Sequence, residues 1–219
     1  MSTRDGSSVI AIDVGATKLA AALVDDSGAI TRRQRRDTPS GQGGILHAVV
    51  ELTRELLDAA RAEGVEPRAI GIGSAGQIDV QRGAVVFATG TMPGWSGAPV
   101  AATVREATGL PVAIDNDGNA FALGEAWLGA GRGHASVLGI VVGTGIGGGV
   151  VIDGRVMPGE RFWAGNVGHL RVEHPGMQCN CGGHGCLETR SAGWGIACLA
   201  DGELGSPPVG VSAWTAKLV

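Results

Sequence analysis

The sequence predicts an α/β protein of two lobes, and three observations carry that expectation. A strand, a glycine turn and a second strand occur twice, near residues 9–24 and 137–152. Between the two copies lies a segment whose apolar residues recur at three- and four-residue steps, the period of an amphipathic helix. Hydrophobic residues make up 44% of the 219-residue chain and charged residues 17%, so there is enough apolar side chain to bury and the chain is not disordered. The expected division is an N-terminal lobe over residues 9–115 and a second lobe over residues 116–219.

The elements follow in order. Val9 to Ile12 is an apolar strand that runs into Asp13-Val14-Gly15-Ala16-Thr17-Lys18, and Leu19 to Val24 is the strand after that turn. Asp25 to Gly28 turns the chain, and Ala29 to Thr38 makes a third antiparallel strand. After a loop over residues 39–44, Ile45, Val49, Thr53, Leu56 and Ala60 mark a helix stopped near Gly64. Ala69 to Ser74 and Ala84 to Ala88 read as strands, Val100 to Ala107 as a helix ending at Gly109, and Val112 to Ile114 as a short buried strand. A helix follows Asn116-Asp117-Gly118-Asn119, reaching Trp127. Val137 to Val142 is then a strand, residues 143–149 a turn, and Val150 to Ile152 a strand closed by Asp153-Gly154.

Composition narrows the partners. A formal charge of −4 gives no positive field to hold a polyanion, so nucleic acid is not expected. The basic run Arg32, Arg33, Arg35 and Arg36 reads as a solvated strand edge that resists aggregation. No apolar run reaches the roughly 18–20 residues that span a bilayer, and Met1 to Ser8 lacks the apolar stretch of a signal peptide, so a cytoplasmic protein without membrane contact is expected. Glycine is the outlier. It supplies 39 of the 219 residues, against a usual level of roughly 7%, so part of the fold requires bare backbone.

Glycine turns between strands expose backbone N–H groups that can hold phosphate oxygens, because without a Cβ the chain approaches closely. Gly15-Ala16-Thr17-Lys18 and the run from Gly143 through Thr144, Gly145, Ile146 and Gly147 to Gly149 are both candidates. The second lacks the Lys-Ser/Thr of a Walker motif and is followed by a strand, unlike a dinucleotide fingerprint. Two such turns facing one another across a cleft can hold the phosphates of a nucleotide, with Asp13 organising a hydrated Mg²⁺. Asp117 reads either as a helix cap or as a base. Beside Asn116, which can fix adjacent hydroxyls, a carboxylate that accepts a hydroxyl proton completes the pair a hexose kinase needs.

His169, Cys179, Cys181 and Cys186 form the strongest local signal. Three thiolates and one imidazole suit tetrahedral Zn²⁺ with no position left for water, so the knuckle over residues 169–186 is expected to be structural. His184 is a competing ligand whose place inside the knuckle suggests a tip facing solvent, and Cys198 reads as a small buried hydrophobe.

Together these residues resemble the ROK family of bacterial sugar kinases and sugar-responsive repressors, on the actin-like ATPase (ribonuclease H-like) fold. The resemblance runs from about Ile10 to Ile196 and is most specific at Cys179-x-Cys181-Gly182-x-x-Gly185-Cys186-x-Glu188. It implies ATP as nucleotide, with Asp13, Gly15, Thr17, Lys18, Gly143, Thr144, Gly145 and Gly147 around it, together with Mg²⁺ and structural Zn²⁺. It further implies Asp117 as the general base for a sugar hydroxyl, usually the 6-OH of a hexose. Gly76, Asn116, Asn166, His169 and Glu188 would line the sugar, and a homodimer is implied on the same basis.

Three departures stand out. Asn166 occupies a position where the family's kinases usually carry Glu, and Ala75-Gly76 replaces Pro-Gly. Beyond Ile196 the pattern dissolves, so the second lobe is expected to be incomplete, with Trp194, Leu199 and Trp214 as candidates for uncovered apolar surface or for ordinary local packing. The leading expectation is therefore a glucokinase-type sugar kinase, and its rival is a homologue that holds a sugar without transferring phosphate. A repressor is disfavoured because the kinase-like pattern begins at Val9, ahead of which no helix-turn-helix domain fits.

Overall fold

The structure is a computed structural model that describes residues 7–200, and the chain divides into two compact units after Asp117. The first unit is built on a five-stranded sheet in the order β3-β2-β1-β4-β7. Its strands are β1 (Ser8–Val14), β2 (Lys18–Val24), β3 (Ile30–Asp37), β4 (Pro67–Ser74) and β7 (Val112–Asn116). β1, β2 and β3 form an antiparallel meander, whereas β4 and β7 run parallel to β1 and so need crossovers. Helix α1 (Gly41–Ala62) supplies the first crossover and α2 (Val100–Thr108) the second.

Alternate residues of the strands decide where the core lies. Ile10, Ile12, Val14, Leu19, Ile70, Ile72 and Ile114 share one buried cluster with Ile45, Val49, Leu52 and Leu56 of α1 and with Val100 and Val104 of α2. α1 begins four residues before the apolar period does, with Ser40 at its N-cap position. Its first turn includes Gly41, Gly43 and Gly44, which carry no apolar stripe, so periodicity locates only the part of the helix that packs. Gly109 ends α2 in the left-handed conformation at φ 72°.

A hairpin of β5 (Gln77–Asp79) and β6 (Ala84–Phe87) stands beside this sheet. β5 is three residues long with Ile78 buried at its centre, too short for a period to show. Trp95 is fully buried and its indole N–H donates to Ser74 Oγ at 3.0 Å, which ties the Pro93-Gly94-Trp95 loop to the end of β4.

α3 (Asp117–Trp127) starts directly where β7 stops. The second unit contains a three-stranded antiparallel sheet in the order β10-β9-β8, made of β8 (Ser136–Val142), β9 (Ile146–Ile152) and β10 (Arg155–Val156). The turn between β8 and β9 is confined to Gly143, Thr144 and Gly145, whereas the sequence pattern extended it to Gly149. Gly147, Gly148 and Gly149 are strand residues paired with Val141, Ile140 and Gly139.

Packing explains these strand glycines. A Cβ at Gly139 would lie 2.7 Å from the Ala122 Cβ, and one at Gly149 would lie 2.7 Å from the Asn119 Cα. Gly139 and Gly149 face each other across β8 and β9, and together they let α3 approach the sheet backbone closely. Gly149→Ala is expected to destabilise the protein by about 1–3 kcal/mol, as overpacking of a tight core does, read as a lowered urea midpoint; an unchanged midpoint contradicts this packing role.

The remaining elements are a 3-10 turn at Val167–His169, α4 (Glu188–Ser191) and α5 (Gly193–Ala200). Ile146, Met177, Cys179, Cys186, Ala192, Trp194 and Cys198 form the unit's buried cluster. Trp194 is buried and Leu199 packs against that cluster, so local packing is their role. Trp214 lies outside the described residues. Apolar side chains are exposed instead along β8, at Leu138, Ile140 and Val142. Among the described residues, no helix is long and apolar enough to cross a membrane.

Candidate functional site

In the first unit the turn from Gly15 to Thr17 is held from behind. Gly15 N–H donates to Lys18 O at 3.0 Å, Thr38 Oγ1 donates to Gly15 O at 2.7 Å, and Thr38 N–H donates to Thr17 O at 3.1 Å. The carbonyls of Gly15 and Thr17 are thus occupied, while among the described residues the amides of Ala16 and Thr17 meet no acceptor. The side chains of Thr17 and Lys18 are exposed beside them. A turn with satisfied carbonyls and available amides attracts anions.

Asp13 is the last but one residue of β1, ahead of this turn, and its carboxyl is held above the usual 3.8. Partial desolvation is the main cause and the negative charge of Asp117 adds to it, while Arg35 opposes both. The sheet register explains the arrangement. Asp13 pairs with Ala20, which pairs with Arg35, and on the other side Asp13 pairs with Gly73, which pairs with Asp115. Arg35, Asp13 and Asp115 therefore share one row on one face of the sheet, separated by the small residues Ala20 and Gly73. Arg35 and Asp115 were not singled out by motif; their relation to Asp13 emerges only once β3 and β7 are registered against β1.

Asn116 ends β7 and Asp117 opens α3, an abrupt step from strand to helix that leaves the Asp117 carboxylate exposed. The Asn116 side chain is fixed by donation from Nδ2 to Gly76 O at 2.8 Å. Gly76 has φ 105°, and a Cβ there would lie 2.6 Å from Phe87 O, so only glycine brings this carbonyl to Asn116. Asn116, Asp117, Gly76 and Asp13 thus belong to one neighbourhood of the first unit.

In the second unit the turn from Gly143 to Gly145 is built similarly. Gly143 N–H donates to Gly145 O at 2.9 Å, while Gly193 N–H donates to Gly143 O at 2.8 Å and Trp194 N–H to Thr144 O at 3.3 Å. Among the described residues the amides of Thr144 and Gly145 meet no acceptor. Gly147 lies in β9 rather than in this cradle.

His169, Cys179, Cys181 and Cys186 converge, with one donor atom from each lying within 4.8 Å of the others. Cys179 Sγ is 3.6 Å from His169 Nδ1, and Cys181 Sγ is 3.7 Å from Cys186 Sγ. A tetrahedron with Zn–S near 2.3 Å and Zn–N near 2.1 Å has edges of about 3.6–3.8 Å, so these two spacings fit zinc. Burial pushes the thiols of Cys179 and Cys186 up.

Local glycines shape the loop. Gly182 and Gly185 sit at φ 89° and 72°, Cys179 N–H donates to Gly183 O at 2.8 Å, and Gly185 N–H donates to Met177 O at 2.8 Å. His184 is exposed and outside the converging group, and Cys198 is buried.

Asn166 immediately precedes the 3-10 turn that carries His169, and its carbonyl accepts from His169 N–H at 3.2 Å. Glu188 is buried against this cluster of His169 and cysteines, with Oε1 3.1 Å from Cys179 Sγ and 3.8 Å from His169 Nδ1. A further pair was not visible as a motif. Arg190 donates to Glu173 from Nε at 2.8 Å and from Nη2 at 2.5 Å, which joins α4 to the loop before Cys179.

Comparison with known proteins places this arrangement. The ROK family model matches residues 9–207. A glucokinase from Thermotoga maritima is 40% identical over 182 residues, which cover 82% of this chain and 56% of that protein. The crystal structure of a ROK family glucokinase from Streptomyces griseus in complex with glucose and AMPPNP is similar with a TM-score of 0.78 and 37% identity, over 90% of this chain and 61% of that one. A ROK hexokinase from Thermus thermophilus gives a TM-score of 0.75 and 38% identity, over 90% and 65%. The chain thus spans less than two thirds of the length of each of these relatives. The fold is that of the ROK sugar kinases, the actin-like ATPase fold, and the chain belongs to the ROK family.

Proposed function

We propose that this protein phosphorylates a hexose at the expense of ATP, as a glucokinase-type sugar kinase. The observation that carries the reading is the Asn116-Asp117 step. It presents an exposed carboxylate next to an amide fixed by Gly76, in the unit that also displays Asp13 and the first glycine turn. The relatives named glucokinase and hexokinase support the same chemistry.

In this reaction Asp117 accepts the proton of the sugar hydroxyl, proposed to be the 6-OH, as its oxygen attacks the γ-phosphorus. The bond from γ-phosphorus to the β–γ bridging oxygen breaks, and ADP leaves. Asn116 orients neighbouring hydroxyls, with Gly76 holding it in place. Asn166, His169 and Glu188 are assigned to the sugar as well, Asn166 contributing a neutral amide that donates and accepts but supplies no charge. The amides of Ala16, Thr17, Thr144 and Gly145 are assigned to phosphate oxygens, with Gly15 and Gly143 keeping those turns tight and Lys18 adding charge beside the first. Asp13 is assigned to the hydration shell of Mg²⁺, which when bound neutralises charge on the β- and γ-phosphates. His169, Cys179, Cys181 and Cys186 hold Zn²⁺ in a closed, structural site. Three thiols reserved for a metal suit a reducing, cytoplasmic setting.

A second reading, a sugar-binding module without transfer, is favoured by Asn166 alone. ADP release measured by a coupled assay over a panel of hexoses and N-acetylhexosamines separates the two. The kinase reading expects turnover that depends on at least one sugar. Calorimetric binding of a sugar with no sugar-dependent turnover supports the module instead.

A further inference from the structure

The segment that follows the last metal ligand is attached at both ends. At its start, Thr189 N–H and Oγ1 donate to Cys186 O at 3.0 and 2.7 Å, and Thr189 is fully buried. The Glu173–Arg190 pair clamps the same segment to the loop that leads into Cys179. Glu188 therefore stands on a stem whose base is the ligand Cys186.

The segment also grips the turn between β8 and β9 and the first residue of β9, in three places. Glu188 Oε2 accepts from Ile146 N–H at 3.3 Å, Gly193 N–H donates to Gly143 O at 2.8 Å, and Trp194 N–H donates to Thr144 O at 3.3 Å. Glu188 is 6% exposed, so its carboxylate meets little competition from water. Fit is close on the turn side as well, since a Cβ at Gly145 would lie 3.0 Å from Glu188 Oε2.

We propose that the metal knuckle positions the second glycine turn, with Glu188 as the positioning residue that transmits the metal's hold on Cys186 to Ile146 and the Gly143–Gly145 turn. A metal that fixes Cys186 fixes the base of α4. The carboxylate then holds the Ile146 N–H, and the amides of Gly193 and Trp194 hold the carbonyls of Gly143 and Thr144, which leaves the Thr144 and Gly145 amides outward. Metal loss is thereby felt at the turn as well as at the residues assigned to the sugar. Its consequence for nucleotide binding rests on the reading of this turn as a phosphate cradle, whereas the positioning itself does not.

Amide hydrogen exchange on the full chain, with zinc content measured on each sample, tests the proposal. Removal of zinc with a chelator is expected to speed exchange at Ile146, Gly193 and Trp194 by about five- to ten-fold, the effect of losing a hydrogen bond of ordinary strength. Exchange at Leu138 to Val141 in β8 is expected to stay unchanged. Glu188→Ala with zinc retained is expected to speed exchange at Ile146 comparably, and chelation of that variant to add little at Ile146. Glu188→Gln, whose amide oxygen can still accept from Ile146 N–H, is expected to restore protection. Unchanged exchange at Ile146 after chelation and in Glu188→Ala overturns the proposal. Equal acceleration across β8 and the turn overturns it too, because that pattern is general loosening. Since no outcome depends on turnover, failure of the kinase reading and failure of this proposal are distinguishable.

Discussion

Replacing Asp117 with Asn is expected to lower sugar-dependent ADP release by about 10²–10⁴-fold, the contribution of a positioned general base. The substitution keeps size and hydrogen-bonding reach but removes the ability to take a proton. The loss should therefore fall on kcat, with the KM for sugar nearly unchanged, because the amide can still hold a hydroxyl in the ground state. Stability should change little, since the carboxylate is exposed at the start of α3. The variant also removes a negative charge that raises the Asp13 carboxyl, so Asp13 should titrate closer to its ordinary value. Full activity in Asp117→Asn would remove this residue from its assigned role even if transfer to a sugar were established.

The second large effect is at the knuckle. Metal analysis of the unaltered chain is expected to find about one zinc per chain, and Cys181→Ser to reduce this to near zero, because a closed four-donor site loses most of its affinity with one thiolate. The fold of the second unit should weaken with it, since Cys179 and Cys186 belong to its buried cluster alongside Ile146, Ala192 and Trp194. The pH dependence of the metal-free protein has a definite sign. Burial raises the thiols of Cys179 and Cys186 above the ordinary value of 9.0, so the folded state keeps protons that the unfolded chain releases. Stability of the chelated form should accordingly be retained below about pH 9 and be lost as pH rises beyond it. A zinc-free preparation that unfolds at the same temperature as the loaded one would contradict the structural role of the metal.

What the sequence made legible follows from range. The His169, Cys179, Cys181 and Cys186 cluster was readable because its side chains lie within residues 169–186 and the glycines between Cys179 and Cys186 signal a tight loop. The β1–β2 and β8–β9 hairpins were readable because each needs only a local turn. Helix α1 was readable wherever it packs and unreadable in its first turn, where no apolar period is required. Non-local relations were hidden. The row of Arg35, Asp13 and Asp115 depends on parallel pairing of β4 with β1 and of β7 with β4, across crossovers whose register no motif encodes.

The glycines were the instructive error. Gly147 to Gly149 continue the pattern of an anion-binding turn, yet they lie in β9, and Gly149 admits the backbone of α3 at Asn119. A glycine that admits phosphate and a glycine that admits a helix look alike in sequence. Neighbours in space distinguish them. Neighbours also decide Trp194, for which the sequence left uncovered surface and local packing open and which lies buried in the second unit's cluster.

Sugar-dependent ADP release by the zinc-loaded chain, with ATP and Mg²⁺ present and glucose as the first acceptor tried, tests the central claim most directly. The account predicts that ADP and phosphorylated sugar appear in equal amounts, and that release without sugar is far slower. ADP release that is the same with and without every hexose and N-acetylhexosamine tried would contradict it.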